Sequence, residues 1–190
     1  MATTALPAAA SRDTGWLLRL RAATVVAAVF LVALAATNLF WPLRGGAFTS
    51  TSDYLGTGNA LPLAIGLIST VIAFHRVHSG ADGRRGAIGT WIYALCSLEI
   101  VVQCLASLPA GRELIWGPLY PLCTIGSSIG LAFLAAGAWR SGLAPKWMLA
   151  IWPPLGVVGS WLGIGPVPVL YAAFLVTLVA VVCRRATTQR

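Results

Sequence analysis

Residues 87–108 read AIGTWIYALCSLEIVVQCLASL, an apolar run with one carboxylic acid, Glu99, at its centre. About 20 residues of this kind span about 30 Å of hydrocarbon as an α-helix. An acid at that depth costs about 3 kcal/mol on insertion scales, so it marks either a function or a buried polar contact. At about 100° per residue, Cys96, Glu99, Gln103 and Ser107 fall within an arc of about 80°, with Ala106 beside them. Leu98, Val101, Val102, Leu105 and Leu108 fill the remaining face. Lipid tolerates the second face and not the first, so the polar stripe is expected to point into a bundle of helices.

The rest of the chain fits that reading. Of its 190 residues, 58% are hydrophobic and 9% charged, and the mean hydropathy is +0.83. Soluble domains do not have this composition. A net charge of +8 would point to nucleic acid in a soluble protein. Here the Lys and Arg residues sit in short segments between apolar runs, which helix orientation in a bilayer explains without a nucleic-acid partner. The expected partners are therefore the lipid bilayer and a second copy of the chain or another membrane protein. The four cysteines, Cys96, Cys104, Cys123 and Cys183, form no CxxC pair and lie in or beside apolar runs, where cysteine serves as a small hydrophobe. Neither a metal site nor a cofactor is expected.

The fold class expected is all-α, a polytopic transmembrane helical bundle with six spans and both termini cytoplasmic. Residues 1–15 are expected to form a disordered cytoplasmic tail, 16–183 a single six-helix transmembrane domain, and 184–190 a basic cytoplasmic tail. The spans are placed at 16–41, 59–74, 87–108 and 114–139, with two more inside 147–182. Ala33-Leu34-Ala35 resembles a signal-peptidase site, but the apolar run continues through Leu39 and Phe40, longer than a signal sequence needs, so the first span is expected to stay. The last apolar run is too long for one helix at about 1.5 Å per residue. Gly163-Ile164-Gly165-Pro166 is expected to break it into a hairpin.

Charge supports this topology. The N-terminal tail (Arg12, Arg19, Arg21), the second loop (Arg76, Arg84, Arg85), the fourth loop (Arg140, Lys146) and the C-terminal tail (Arg184, Arg185, Arg190) fall on one side, and Arg44 and Arg112 on the other. This bias follows the positive-inside rule and places both termini in the cytoplasm. Trp16, Trp91, Trp139 and Trp147 then fall at the inner boundary and Trp41, Trp116 and Trp161 at the outer, the depths that indole rings favour.

Together FTSTSDYLGTGNALPLAIGL, GRRGAIGTW, GPLYPL and GAWRSGLAPKW resemble a broad group of uncharacterised bacterial multi-pass membrane proteins. That group shows a DYL-like segment before the second helix and a G-x-L-P-R-W-like entry to the fifth, where this chain has Ala144-Pro145-Lys146. The resemblance implies a helical bundle in the bacterial cytoplasmic membrane and carries over no catalytic residue.

Other constellations are weaker. His75 and His78 lie three apart, a spacing that can share a metal, but no carboxylate or cysteine companion is evident, so interfacial histidines are expected. Gly126-xxx-Gly130 and Gly159-xxx-Gly163 are close-approach spacings, which packing inside one bundle explains better than dimerisation. No GxGxxG, P-loop, HExxH or GxSxG occurs, which leaves nucleotide, zinc-protease and serine-hydrolase chemistry without support. A Cys104–Cys123 disulfide is a geometric option on antiparallel helices, disfavoured because Cys104 points away from the Glu99 face.

No Lys, Arg or His lies in the middle of a span, so Glu99 is expected to be neutral and to donate a hydrogen bond. Ser127, Ser128, Ser69 and Thr70 lie near its depth as candidate acceptors, along with Gln103. Three functions are consistent with this pattern. First is a non-enzymatic membrane protein, an accessory or structural subunit or a binder of an apolar ligand. The second is a small proton-coupled transporter with Glu99 as coupling acid, and the third an intramembrane enzyme on a lipid or isoprenoid with Glu99 as general acid. An enzyme needs a second convergent polar group, and none is evident beside Glu99.

The topology is testable by single-cysteine labelling in intact cells. An impermeant maleimide is expected to modify cysteines placed at Thr51 and Ala110 and to miss one at Ala81; modification at Ala81 overturns the orientation.

Overall fold

The computed structural model describes residues 8–40, 46–78, 80–114 and 118–188, with side chains placed from Thr14 onward. It is helical throughout: α1 Ala8–Phe40, α2 Thr51–Val77, α3 Gly83–Ala110, α4 Leu119–Ala138, α5 Lys146–Gly156 and α6 Val167–Thr188. A π-helical turn, Val157–Trp161, continues α5. Five of these helices, α1, α2, α3, α4 and α6, are long and apolar enough to cross a bilayer. Each helix packs on its neighbours in sequence, and α6 returns to α1, so the bundle closes into a ring.

The expected break in the last apolar run is present. Gly163 and Gly165 take φ of 56° and 50°, a left-handed backbone that glycine adopts without a Cβ penalty. The helix before it is short: 11 residues of α5 plus 5 of the π turn rise about 24 Å at about 1.5 Å per residue. Proline explains its form. Pro153 and Pro154 lie inside α5 and remove two amide donors from the helical ladder. The chain then widens to the π register, in which each N–H reaches one residue further back.

Several element ends differ from expectation. α1 starts at Ala8, inside the stretch expected as a disordered tail, and α6 runs to Thr188, into the expected basic tail. α2 begins at Thr51, ahead of residue 59, because Asp53 accepts the Thr49 and Ser50 amides at 2.9 Å each. These donors would otherwise be orphans at the helix start.

Contacts sort the two ends of the bundle. At one end the Arg19 and Arg76 guanidiniums both lie over the Trp16 ring, and Arg185 donates to the Gly142 carbonyl at 2.9 Å. At the other, the α1–α2 and α3–α4 loops form an antiparallel clasp, with the Phe48 amide donating to Gly111 O at 2.8 Å and the Glu113 amide to Gly46 O at 2.9 Å. The Asn38 amide group donates to Gly163 O at that same end. The start of α1 and the end of α6 therefore share an end, and the grouping of loops is the one that charge had indicated.

The α3–α4 contact is the tightest in the bundle. A Cβ on Gly89 would stand 2.4 Å from the Leu134 amide nitrogen, one on Gly130 2.6 Å from that of Tyr93, and one on Gly137 2.6 Å from the Asp82 carbonyl. Gly126 and Gly130 thus serve packing within the chain, Gly126 against the Cys96 thiol. Gly159 abuts the Tyr171 ring, whereas Gly163 lies beyond the helix in the turn, so the second glycine spacing is not a helix-packing pair. Around the seam the core is aromatic and aliphatic. Trp152 is fully buried, stands edge-on to Phe74 at 4.8 Å, and donates its indole N–H to the Tyr171 hydroxyl at 3.2 Å.

Trp91, Trp139 and Trp147 are exposed at the end that holds the basic loops, as interfacial rings should be. Trp161 is buried. It packs on Tyr120 with ring centroids 5.6 Å apart. Trp41 and Trp116 lie outside the described residues.

Candidate functional site

A chamber of about 160 Å³ lies between α2, α3, the start of α4 and the π turn. Leu34, Leu63, Leu67 and Ile100 supply apolar wall, and Thr57, Gln103, Ser107, Glu113, Tyr120 and Ser160 supply polar groups. Its floor and rim come from features already described. The loop clasp positions Glu113 through the hydrogen bond that its backbone N–H donates to the Gly46 carbonyl. The π turn turns Ser160 and Trp161 toward the space, and Tyr120 anchors that turn by donating its hydroxyl to the Trp161 carbonyl at 2.6 Å.

The helix-three stripe divides into two pairs. Gln103 and Ser107 line the chamber and hold its loop: Gln103 Nε2 donates to the Leu114 carbonyl at 2.9 Å and the Leu114 amide donates to Ser107 Oγ at 3.1 Å. A backbone unit just past α3 is thereby satisfied on both sides, which a membrane interior demands. Cys96 and Glu99 face α4 and are not among the chamber lining. The Cys96 thiol lies against Gly126 of α4, and Cys123 is one turn earlier on that helix. The most buried line of α3 is Tyr93, Ser97, Cys104 and Ser107, one step round from the stripe. Leu98, Val102 and Leu105 are exposed as expected.

Both Glu99 carboxyl oxygens are buried, and neither has a hydrogen-bond partner among the described residues. The candidate acceptors are not brought to it. Thr70 donates to the Gly66 carbonyl of its own helix at 2.8 Å, Ser127 Oγ is buried without a partner, and Ser69 faces a groove between α1 and α2. Ser128 is half-buried on α4. All four cysteines are free, and the α3 thiol packed on α4 beside Gly126 is that of Cys96, while Cys104 lines the chamber.

Glu113, which no motif of the sequence singles out, stands on the chamber wall.

The histidine pair also has the carboxylate that the sequence did not reveal. His75 Nδ1 and Asp82 Oδ2 are 2.5 Å apart, with the Asp82 side chain fully buried under Gly86, where a Cβ would collide with its carboxyl. His78 is buried, its Nδ1 2.7 Å from the Phe74 carbonyl and its Nε2 without a partner. The bond from Nδ1 to a carbonyl requires that nitrogen to carry a proton. Among the described residues no cluster of three or more His, Cys, Asp or Glu could hold a metal. This knot joins the end of α2 to the start of α3 across a short turn.

Comparison with protein-family models, with curated proteins and with solved structures found no match, so the functional reading rests on the geometry.

Burial pushes the His78 imidazole below its ordinary value of 6.5, against the opposing pull of the Phe74 carbonyl and Asp82. The folded bundle therefore holds His78 neutral while the unfolded chain protonates it near pH 6.5. Its contribution is fully present above that pH and is lost as pH falls through and below it. Denaturant unfolding in detergent is expected to show stability falling from pH 7.5 toward pH 5.5, with a shallower fall in His78→Gln; an equal slope in both proteins removes His78 as the cause.

Proposed function

We propose that this chain is a non-enzymatic protein of the bacterial cytoplasmic membrane, with six spans and both termini in the cytoplasm, that holds a small amphipathic ligand in its chamber. The observation that carries this reading is the chamber itself, apolar on one side and set with hydroxyl, amide and carboxyl groups on the other. Binding pockets combine an apolar wall with a few placed polar groups in this way. Among the described residues its lining holds one carboxyl group and no histidine, lysine or arginine, so it offers hydrogen bonds rather than an acid–base pair. On this reading α5 and the π turn form the short fifth span, with the hairpin at Gly163 and Gly165 on the extracytoplasmic side.

The runner-up is a proton-coupled transporter with Glu99 as coupling acid, favoured by the interrupted helix beside the chamber. π turns and broken helices recur at functional sites in membrane proteins.

Cavities of about 150 Å³ admit a single aromatic ring, which makes phenol a suitable probe. Phenol is expected to raise the thermal midpoint of the purified protein. A concentration of about 100 times Kd adds about 2.7 kcal/mol. Ala60→Phe fills the chamber and is expected to abolish the phenol effect without lowering the basal midpoint; equal protection of both proteins, or of neither, contradicts the binding reading. Glu99→Gln is expected to leave phenol binding intact, and on the transporter reading to abolish uptake driven by a pH gradient in proteoliposomes.

A further inference from the structure

On the far side of α2 from the chamber, a second depression of about 430 Å³ runs along the outer seam of α1 and α2. The two helices touch at Gly66, where a Cβ would stand 2.9 Å from the Ala27 amide nitrogen, and they leave a groove from there toward Trp16. Ala22, Ala23, Ile65, Ser69 and Ala73 line it. From Gly66 to Ala73 it runs about 10 Å at about 1.5 Å per residue.

The end of this groove is charged. The Arg19 guanidinium lies 4.6 Å above the Trp16 ring and that of Arg76 5.8 Å from the same ring, so one indole gathers two cations from different helices. Both arginines are exposed, and among the described residues neither has a carboxylate partner, the one ion pair being His75 with Asp82. Two cations on one indole, with no carboxylate beside them among the described residues, favour an anion there, and a guanidinium matches phosphate oxygens with two parallel N–H donors. Trp16 marks headgroup depth. The neighbouring apolar groove selects among anions: a free phosphate would use the arginines and leave the groove empty, whereas a phospholipid fills both.

We propose that the α1–α2 groove binds one anionic glycerophospholipid from the leaflet at the end of the bundle that carries both termini, its phosphate between Arg19 and Arg76 and an acyl chain along α1 and α2 toward Gly66. The lipid completes an outer surface that the protein leaves notched, and it ties α1 to α2 by charge where their backbones have separated. The site is independent of the chamber, because Ala64 and Leu67 of α2 face the chamber while Ile65, Gly66 and Ser69 face the groove.

The test is native mass spectrometry of the full-length protein in detergent, titrated with palmitoyl-oleoyl phosphatidylglycerol or with phosphatidylcholine of the same chains. Wild type is expected to retain one phosphatidylglycerol with about a 30-fold preference, about fivefold for each guanidinium near the headgroup. Arg19→Gln/Arg76→Gln is expected to remove that preference. Arg84→Gln/Arg85→Gln, at the same end and equally exposed, is expected to keep it. Ala22→Trp fills the groove at an exposed position that folding does not depend on, and is expected to lose lipid retention with both arginines in place. Retention that survives Ala22→Trp, that falls equally with Arg84 and Arg85, or that 10-fold excess inorganic phosphate abolishes (about a tenfold excess over lipid, enough to compete for the charges alone) overturns the proposal.

Discussion

The contact on which the other features depend is the backbone touch between α3 and α4. Gly86, Gly89, Gly130 and Gly137 leave no room for a Cβ on either side, and the two helices lock in one antiparallel register. Within a membrane the hydrophobic effect does not drive helices together, so close packing of this kind and hydrogen bonding must do so. That register sets Cys96 against Gly126 and brings Glu99 level with Cys123, one turn earlier on α4. One further turn along, it carries Gln103 and Ser107 to the backbone of Leu114, which closes the chamber. At the opposite end it seats the Asp82 carboxyl under Gly86, where His75 reaches it.

Most interior hydroxyls are disposed of locally. Thr37, Thr70, Thr90, Thr124 and Ser160 each donate to the carbonyl four residues back in their own helix, which satisfies the group without a partner helix. Against that background the groups left over carry information. Among the membrane-length helices Glu99 has two buried oxygens and Thr24, Ser97 and Ser127 one each with no bond among the described residues, and all of these but Thr24 lie on α3 and α4. Gln103 and Ser107, in contrast, are spent on loop closure, which makes their place in the polar stripe architectural. The chamber beside them inherits its polarity from groups that hold the loop, the π turn and the clasp in position.

Composition and apolar run length were enough to read an all-helical bundle, because hydrocarbon admits few alternatives to helices. The break at Gly163 and Gly165 was legible from the glycines themselves, and the exposed face of Leu98, Val102 and Leu105 from helical periodicity. Three features were not. Asp82 lies in a turn seven residues from His75, and only the fold of that turn brings its carboxylate back to the imidazole. Glu113 reaches the chamber through a clasp between loops far apart in sequence. The inward direction of α3 was one step off because the glycine seam, rather than the polar stripe, decides which line of that helix is buried. Polarity marks residues that avoid lipid, while small size marks where backbones meet, and here the second is the stronger constraint.

The register of that seam can be read directly from two native thiols. Membranes carrying the unmodified protein, treated with copper phenanthroline and digested after alkylation, are expected to yield a peptide linked through Cys96 and Cys123, since a disulfide needs Cα atoms within about 7 Å and the Cys96 thiol already touches α4 at Gly126, one turn from Cys123. A Cys104–Cys123 linkage in its place would require Cys104 to turn from the chamber wall toward α4, and would contradict the account.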